Sequence, residues 1–299
     1  MERRLRRRPA PRGRRPSVQP SRRAPRSEPD PLARRRLDAE LVRRGLSPSR
    51  QRAQADIASG RVTVGGAPAY KPARLVAPEE PIVLLGPAPR FVSRGGEKLD
   101  AALARFEIEV AGRRAADLGA STGGFTDCLT QRGADRVVAI DVGYGQMHER
   151  LRADPRVEVR ERTNARSLRS GDLGDAADLL VADLSFISLR TVAPAMVAVT
   201  APGADLVLLV KPQFEAGRQE AARGRGVISD AAIWRRVLQE VAAALEELGA
   251  AIMGAMASPL TGADGNVEFL LHARTAPARA VAPLDALLEG ALREAEALA

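Results

Sequence analysis

The stretch that most constrains this chain is Asp117-Leu118-Gly119-Ala120-Ser121-Thr122-Gly123-Gly124-Phe125-Thr126-Asp127. An apolar approach leads into a turn of small residues and then into a helix-like run. A parallel α/β sheet needs that order where its first strand meets a nucleotide. Glycines let backbone come close to a ligand that a Cβ would push away, and the helix N-terminus supplies unpaired N–H groups. Plain tight turns share the pattern, but two neighbours narrow the choice. The next apolar run, Arg136 to Ile140, ends at Asp141, where a carboxylate accepts from ribose hydroxyls. The turn also lacks the G-x-G-x-x-G spacing that a pyrophosphate requires, so a nucleoside without phosphates fits better than a dinucleotide. S-adenosylmethionine is such a ligand.

Apolar runs recur downstream. Strands are predicted over 156–161, 178–183 and 205–210, a helix over 230–248, and two more strands over 250–258 and 266–273. Strands alternating with helices imply a mostly parallel, Rossmann-like α/β sheet. Ligands of such sheets bind outside the carboxyl ends of the strands. Asp117, Asp141, Asp183 and Lys211 are all expected at such ends, and so on one rim. A charge closing an apolar strand is costly unless it is paired or used. Two readings of Asp183 and Lys211 therefore stand: a structural ion pair, or a lysine base acting on a weakly acidic hydroxyl. Lys71, Lys98 and Lys211 are the only lysines among 46 basic residues. That scarcity reflects either coding bias or positions where arginine would not serve. Asn164, just past the third strand, could edge an adenine or cap a loop.

The net charge of +9 is unevenly placed. Residues 1–36 hold 14 arginines against 3 acids, residues 37–95 hold 9 basic residues against 5 acids, and residues 96–299 hold 23 against 29. Attraction to a polyanion therefore belongs to the N-terminal third. Residues 1–33, rich in Arg, Pro and Ser, lack the apolar content to offset ordering entropy and are expected to form a disordered basic tail. From Arg35 the pattern becomes ordered. Leu37, Leu41, Val42 and Leu46 share a helix face that Gly45 ends, and Ser47 or Ser49 caps a second helix bearing Ala53, Ala55, Ile57 and Ala58. Strands at 61–66 and 81–85 complete a compact α+β platform. Its helices carry Arg43, Arg44, Arg50 and Arg52 for phosphate contact, although any surface helix can be arginine-rich.

The run Leu37-Asp38-x-x-Leu41-Val42-Arg43-Arg44-Gly45-Leu46, with Ser49-Arg50-x-x-Ala53 and Ile57-x-x-Gly60-Arg61-Val62-x-Val64-x-Gly66, closely resembles the S4-type RNA-binding domain shared by pseudouridine synthases and tyrosyl-tRNA synthetases. That resemblance implies structured RNA as partner, recognised mainly by shape and backbone. It points to Arg35, Arg36, Arg43, Arg44, Ser49, Arg50, Arg52 and Arg61 as contacts. Beyond a short linker, Ser93-Arg94-Gly95-Gly96-Glu97-Lys98-Leu99, Asp117 to Phe125, Asp141 to Gln146, Arg162 to Arg166, Asp183 to Leu189, Lys211-Pro212-Gln213-Phe214-Glu215 and Gly265 to Glu268 resemble the FtsJ-type ribose methyltransferases. The two-domain order is similar to the TlyA (hemolysin A) family of ribosomal RNA 2′-O-methyltransferases. The resemblance implies a catalytic set of Lys98, Asp183, Lys211 and Glu268, with Lys211 as base on a cytidine 2′-hydroxyl. It implies cofactor contacts from Asp117, Gly119, Ser121, Gly123, Gly124, Phe125, Asp141, Val142, Asn164 and Asp183, and ribosomal subunits as partners.

The expected organisation is a tail at 1–33, an S4-type domain at 34–86, a linker at 87–92, a methyltransferase domain at 93–275 with a seven-stranded sheet, and a helical tail at 276–299. Other chemistries fit less well. Asp183-Leu184-Ser185-Phe186 is not the Asn/Asp-Pro-Pro-aromatic turn of base-amine methylation. Cytosine C5 methylation needs a cysteine nucleophile, and the sole Cys128 falls inside the helix after the glycine turn. His148 and His272 stand too far apart to suggest a metal site. One cysteine and no apolar run near the roughly 18 residues of a membrane span fit a cytoplasmic protein better than a pore-forming toxin. A non-catalytic ribosome assembly factor would carry the same RNA-binding parts.

Overall fold

A computed structural model of the chain describes residues 34–58, 60–86, 89–217, 220, 224, 226–262 and 265–298. The expected basic tail lies outside the described residues. The chain divides into two compact units at Pro87. The first runs β1 (Arg35–Arg36), α1 (Leu37–Arg43), α2 (Arg50–Ala58), β2 (Val62–Val64), β3 (Ala67–Pro68), β4 (Leu75–Val76) and β5 (Ile82–Leu84). Leu37 and Leu41 of α1 and Ala53 and Ile57 of α2 bury against Val62, Val64, Val76 and Ile82. The helix turn closes at Gly45, whose φ of +69° suits the left-handed residue past a helix end. Ser49 caps α2, its Oγ accepting from the Arg52 N–H at 3.2 Å. Strands β3, β2 and β5 form one antiparallel sheet, and β1 pairs with β4. That second pairing has no signal in sequence, because two-residue strands show no alternation.

The second unit runs α3 (Gly95–Arg105), β6 (Arg114–Leu118), α4 (Gly124–Gln131), β7 (Arg136–Ile140), α5 (Glu149–Arg152), β8 (Val157–Arg160), β9 (Ala177–Ala182), α6 (Leu189–Ala198), β10 (Thr200–Val210), α7 (Pro212–Glu215), α8 (Ala231–Glu247), β11 (Ala251–Ala257), β12 (Phe269–Arg274) and α9 (Leu284–Glu296). Its sheet has the order β8-β7-β6-β9-β10-β12-β11. All neighbours are parallel except β12, which runs against β10 and β11. Alternate residues feed two layers, as the pleat requires. Leu118, Ile140, Leu180 and Leu208 face the side covered by α6, α8 and α9, and Val137, Leu179, Val181 and Val207 face the α3 and α4 side.

Three features depart from expectation. Helix α9 is not a tail: Leu288, Ala291, Leu292 and Ala295 are buried in the main core. Phe91 is buried in the α3/α4 layer and the Val92 N–H donates to Asp127 Oδ2 at 2.8 Å, so the linker ends before them. Helix α6 has no clear sequence signal, since it carries Pro194, which removes an intrahelical bond. Packing of Leu189, Val192 and Met196 into the core holds it. From β6 the sheet grows one way through β7 and the other way through β9. The crevice at their carboxyl ends is the switch point where ligands of such folds bind.

Candidate active site

Beyond β6 the turn is shaped by what its glycines exclude. A Cβ on Gly119, whose φ is +85°, would collide with the Asp183 carbonyl, and one on Gly124 would strike Ser93 Oγ. Ser121 is a non-glycine residue at φ +48°, a conformation that L residues hold only when their surroundings enforce it. Its N–H donates to Asp141 Oδ2 at 2.8 Å and the Gly143 N–H donates to Oδ1 at 2.6 Å. These bonds orient the Asp141 carboxylate, and each oxygen keeps a further lone pair for a ligand.

Two clefts open above this turn. The larger, about 510 Å³, is lined by Ser121, Asp141, Val142, Asn164, Asp183 and Phe186 among others. The smaller, about 220 Å³, is lined by Ser93, Arg94, Lys98, Gly124, Phe125 and Asp183 among others. Gly119, Ser121 and Asp183 belong to both. Asn164 lines the larger cleft, and its Oδ1 accepts from the Arg166 N–H at 3.0 Å to cap a short 3-10 turn. Two expected cofactor residues line neither cleft. Gly123, at φ +97°, starts α4 and leaves room for Met147 and Leu151. Asp117 is fully buried inside β6, with Oδ2 accepting from the Thr126 hydroxyl at 2.6 Å and Oδ1 unpartnered. Burial pushes its carboxyl up to about 7, against the Thr126 bond and helped by the nearby Asp183 charge. Asp117 braces the turn from below rather than facing a ligand.

The four expected catalytic residues form two ion pairs. Parallel pairing of β9 and β10, with Leu208 beside Ala182, brings Asp183 and Lys211 out at one edge. Lys211 Nζ lies 2.5 Å from Asp183 Oδ1, outside hydrogen-bond alignment, and donates to Ser185 Oγ at 3.1 Å. Lys98 of α3 pairs with Glu268, one residue before β12, and both are nearly fully buried. Lys98 and Asp183 line the same cleft. Other chemistries lose ground here. Cys128 is buried in α4, and that burial pushes its thiol up to about 12, so it is no nucleophile. His148 Nδ1 accepts from the Arg150 N–H, and His272 sits 2.8 Å from Asp205 in a separate cluster. No group of three or more His, Cys, Asp or Glu able to hold a metal occurs among the described residues.

Two exposed aromatic residues have no role in the sequence reading: Phe186, which lines the larger cleft, and Tyr144, in the loop after β7. Phe186 is 91% exposed at φ +64°, its ring 5.0 Å from that of Phe214. Tyr144 is 69% exposed beneath the Arg162 guanidinium, 4.3 Å from the ring centre. Their only signal in sequence is rarity: aromatics make up 3% of the chain, and these stand in strand-exit loops.

In the first unit the candidate arginines separate. Arg36 and Arg50 pair with the buried Asp38, and Arg43 with the buried Glu40, while their own side chains stay 45%, 57% and 50% exposed. The Arg36 guanidinium holds Asp38 well below the usual carboxylate range. Arg44, Arg52 and Arg61 are only 20%, 16% and 18% exposed. Arg44 donates to the carbonyls of Ala77, Pro78 and Glu80, and Arg61 to that of Leu85. Their guanidiniums hold the domain together, which spacing alone did not reveal. Arg35 is half-buried in β1, and Ser49 is used as the α2 cap.

The strand order, the single reversed strand and the ribose-type carboxylate beside a glycine turn define a Rossmann-like methyltransferase. The FtsJ-like methyltransferase model matches residues 91–275 and the S4 domain model residues 35–82. The chain is 52% identical over 252 residues to the 16S/23S rRNA (cytidine-2′-O)-methyltransferase TlyA of Mycobacterium tuberculosis, covering 84% of this chain and 94% of that protein. It is 37% identical over 238 residues to Hemolysin A of Brachyspira hyodysenteriae, covering 79% and 98%. A solved structure from Streptococcus thermophilus, named as a hemolysin, matches with a TM-score of 0.70 at 35% identity, over 89% of this chain and 97% of that one. The chain belongs to the TlyA family of FtsJ-like methyltransferases. Its cofactor is S-adenosylmethionine. The site suits that cofactor: a turn that admits no Cβ, a carboxylate with lone pairs to offer, and clefts that meet at Asp183. No described helix is long and apolar enough to cross a membrane.

Proposed function

We propose that this enzyme transfers the methyl group of S-adenosylmethionine to the ribose 2′-hydroxyl of a cytidine in small- or large-subunit ribosomal RNA, with Lys211 as general base. The observation that carries the reading is the Lys211–Asp183 pair at the carboxyl edge of β9 and β10, whose Asp183 lines both clefts. Asp141 and Asn164 would hold the ribose and adenine of the cofactor, and Gly119 to Gly124 its methionine portion. Bound there, the cofactor supplies an electrophilic methyl on a sulfonium cation.

A ribose hydroxyl is a poor nucleophile until its proton is accepted as the new bond forms. Asp183 and Ser185 fix Lys211 Nζ in place, so the amine need not search for geometry. In that role the Lys211 amine takes the 2′-hydroxyl proton. Lys98, neutralised by Glu268, contributes position without adding net charge. A nucleotide presented this way must leave its stack, and the exposed Phe186 offers a face to receive the base. The S4-type unit, through Arg36, Arg43 and Arg50, supplies backbone contacts that carry no sequence information.

The test is transfer of labelled methyl from S-adenosylmethionine to ribosomal subunits lacking the modification, with the product mapped by ribose-sensitive primer extension. Lys211→Ala is expected to lower kcat by about 10²–10⁴-fold, the range of a lost general base, with RNA binding unchanged. Methyl on a base, or full activity in the variant, would overturn the reading.

A further inference from the structure

The Lys211–Asp183 pair joins two loops that leave the sheet from neighbouring strands: the pairing of β9 with β10 fixes where the loops start but not the course they take beyond the strand ends. The loop from Asp183 to Ser188 is held at its start, where the Asp183 N–H donates to the Leu118 carbonyl at 3.0 Å. Between its ends it carries Ser185, which meets Lys211, and the strained Phe186, which meets Phe214. At its far end it meets Glu215, the last residue of α7, four positions after Lys211.

Glu215 is buried, 5% exposed. Both of its carboxylate oxygens are committed to the other loop: Oε2 accepts from the Ser188 hydroxyl at 2.5 Å, and Oε1 accepts from the Leu189 N–H at 2.6 Å. The Arg190 guanidinium adds an ion pair at 3.5 Å and donates to the Glu215 carbonyl at 3.1 Å. Ser188 caps α6 by accepting from the Arg190 N–H at 3.2 Å, and Glu215, from a different loop, takes the Leu189 N–H that this cap leaves free. Burial does not favour the arrangement, since burial raises the Glu215 pKa and so opposes the charged form that the Ser188, Leu189 and Arg190 contacts favour. The carboxylate ties the Lys211 loop to the far end of the Asp183 loop, beyond the Lys211–Ser185 and Phe186–Phe214 contacts nearer its start.

We infer that Glu215 is a positioning residue that clamps the Asp183–Ser188 loop to the Lys211 loop and thereby sets the Lys211–Asp183 separation that methyl transfer requires. The inference rests on Lys211 and Asp183 being the reacting pair. Glu215 itself lines neither cleft and touches neither Lys211 nor Asp183 through its carboxylate. Loosening the clamp releases the far end of a six-residue loop while leaving the glycine turn and Asp141 in place.

The test uses Glu215→Gln, which keeps size but cannot accept at both oxygens, Ser188→Ala, and the double variant, in the full-length protein. Each single variant is expected to lower kcat about tenfold, with KM for S-adenosylmethionine within about twofold of wild type. The double variant is expected to be no slower than the worse single, because both remove the same tie. Hydrogen exchange supplies a readout independent of methyl transfer: amides of 183–189 should exchange faster in either variant, with those of 119–124 unchanged. Faster exchange with unchanged kcat would overturn the positioning role. Unchanged exchange, multiplicative losses in the double variant, or a fall in stability with kcat intact would overturn the clamp. Failure of the base assignment would instead show as full activity in Lys211→Ala. Should Glu215→Gln fail to fold, the inference stands or falls on the half-buried Ser188→Ala alone.

Discussion

Removing one partner of the Lys98–Glu268 pair separates what these residues do for the fold from what they do for chemistry. Lys98 is 7% and Glu268 3% exposed, so Lys98→Met strands a carboxylate with little access to water. Breaking a buried pair from one side costs about 3–5 kcal/mol. For a domain of this size each kcal/mol moves the unfolding midpoint by about 2–4 °C, giving an expected loss of roughly 6–20 °C. Replacing both partners, as in Lys98→Met with Glu268→Leu, removes the uncompensated charge. It should return most of that loss, because apolar replacement of a buried pair is often neutral. Activity should not return, since the double variant lacks both polar groups beside the cleft. Thermal unfolding at fixed pH and salt, with methyl transfer measured in parallel, reads both effects. A midpoint for Lys98→Met within about 2 °C of wild type, or a double variant no more stable than the weaker single, would refute the reasoning.

Three further expectations follow from the same geometry. With its carboxyl raised by burial to about 7, Asp117 is protonated in the folded chain and ionised in the unfolded one between about pH 4 and 7. The stability it contributes is fully present below its unfolded pKa and is lost as pH rises through the folded value, by at most about 4 kcal/mol. Asp117→Asn should therefore gain on wild type across that window in denaturant titrations, and parallel stability curves would contradict the assignment. Phe186→Ala should lower kcat/KM for ribosomal subunits by about 5–150-fold, the worth of one base–aromatic stack. Its unfolding midpoint should not move, because the ring is 91% exposed, and a matching drop in stability would argue for packing instead. Arg50→Ala should reduce the salt slope of RNA binding by about one. Arg44→Ala should instead destabilise the first unit, where Arg44 holds three backbone carbonyls, and an equal effect of the two on the slope would erase that distinction.

Features that repeat along the chain were legible in sequence. β7, β9 and β10 showed as near-continuous apolar runs, and the long helix α8 and the leucine face of α1 as apolar residues at a period of 3.6. That signal survives because it depends only on which residues can leave water. The glycine turn was legible too: Gly119 and Gly123 hold backbone angles that other residues avoid, so their spacing already implies the turn. Asp183 and Lys211 stood out as charges closing apolar runs, whereas Lys98 and Glu268 were singled out only through the family resemblance. Their division into two ion pairs was not. Which carboxylate meets which lysine depends on the parallel register of β9 with β10 and on where α3 lies across the sheet. Lys98 and Glu268 are 170 positions apart, beyond the reach of any local pattern.

Burial likewise belonged to the tertiary structure. Asp117 and Asp141 look alike as acids near strand ends, yet one lies inside the sheet and the other on the cleft, because β6 extends one residue past Asp117 while Asp141 stands beyond the end of β7. Arg44 and Arg50 look alike as helix cations, yet neighbouring carbonyls claim only the first. The exposed rings of Phe186 and Tyr144 and the Glu215 clamp arise where loops from separate strands converge. By itself the sequence determined the elements, the nucleoside turn and the chemical inventory, since these rest on local sterics and hydrophobic periodicity. Only packing decided which charges are paired, which are buried and which face the substrate, because desolvation and contact are properties of segments brought together from far apart in the chain.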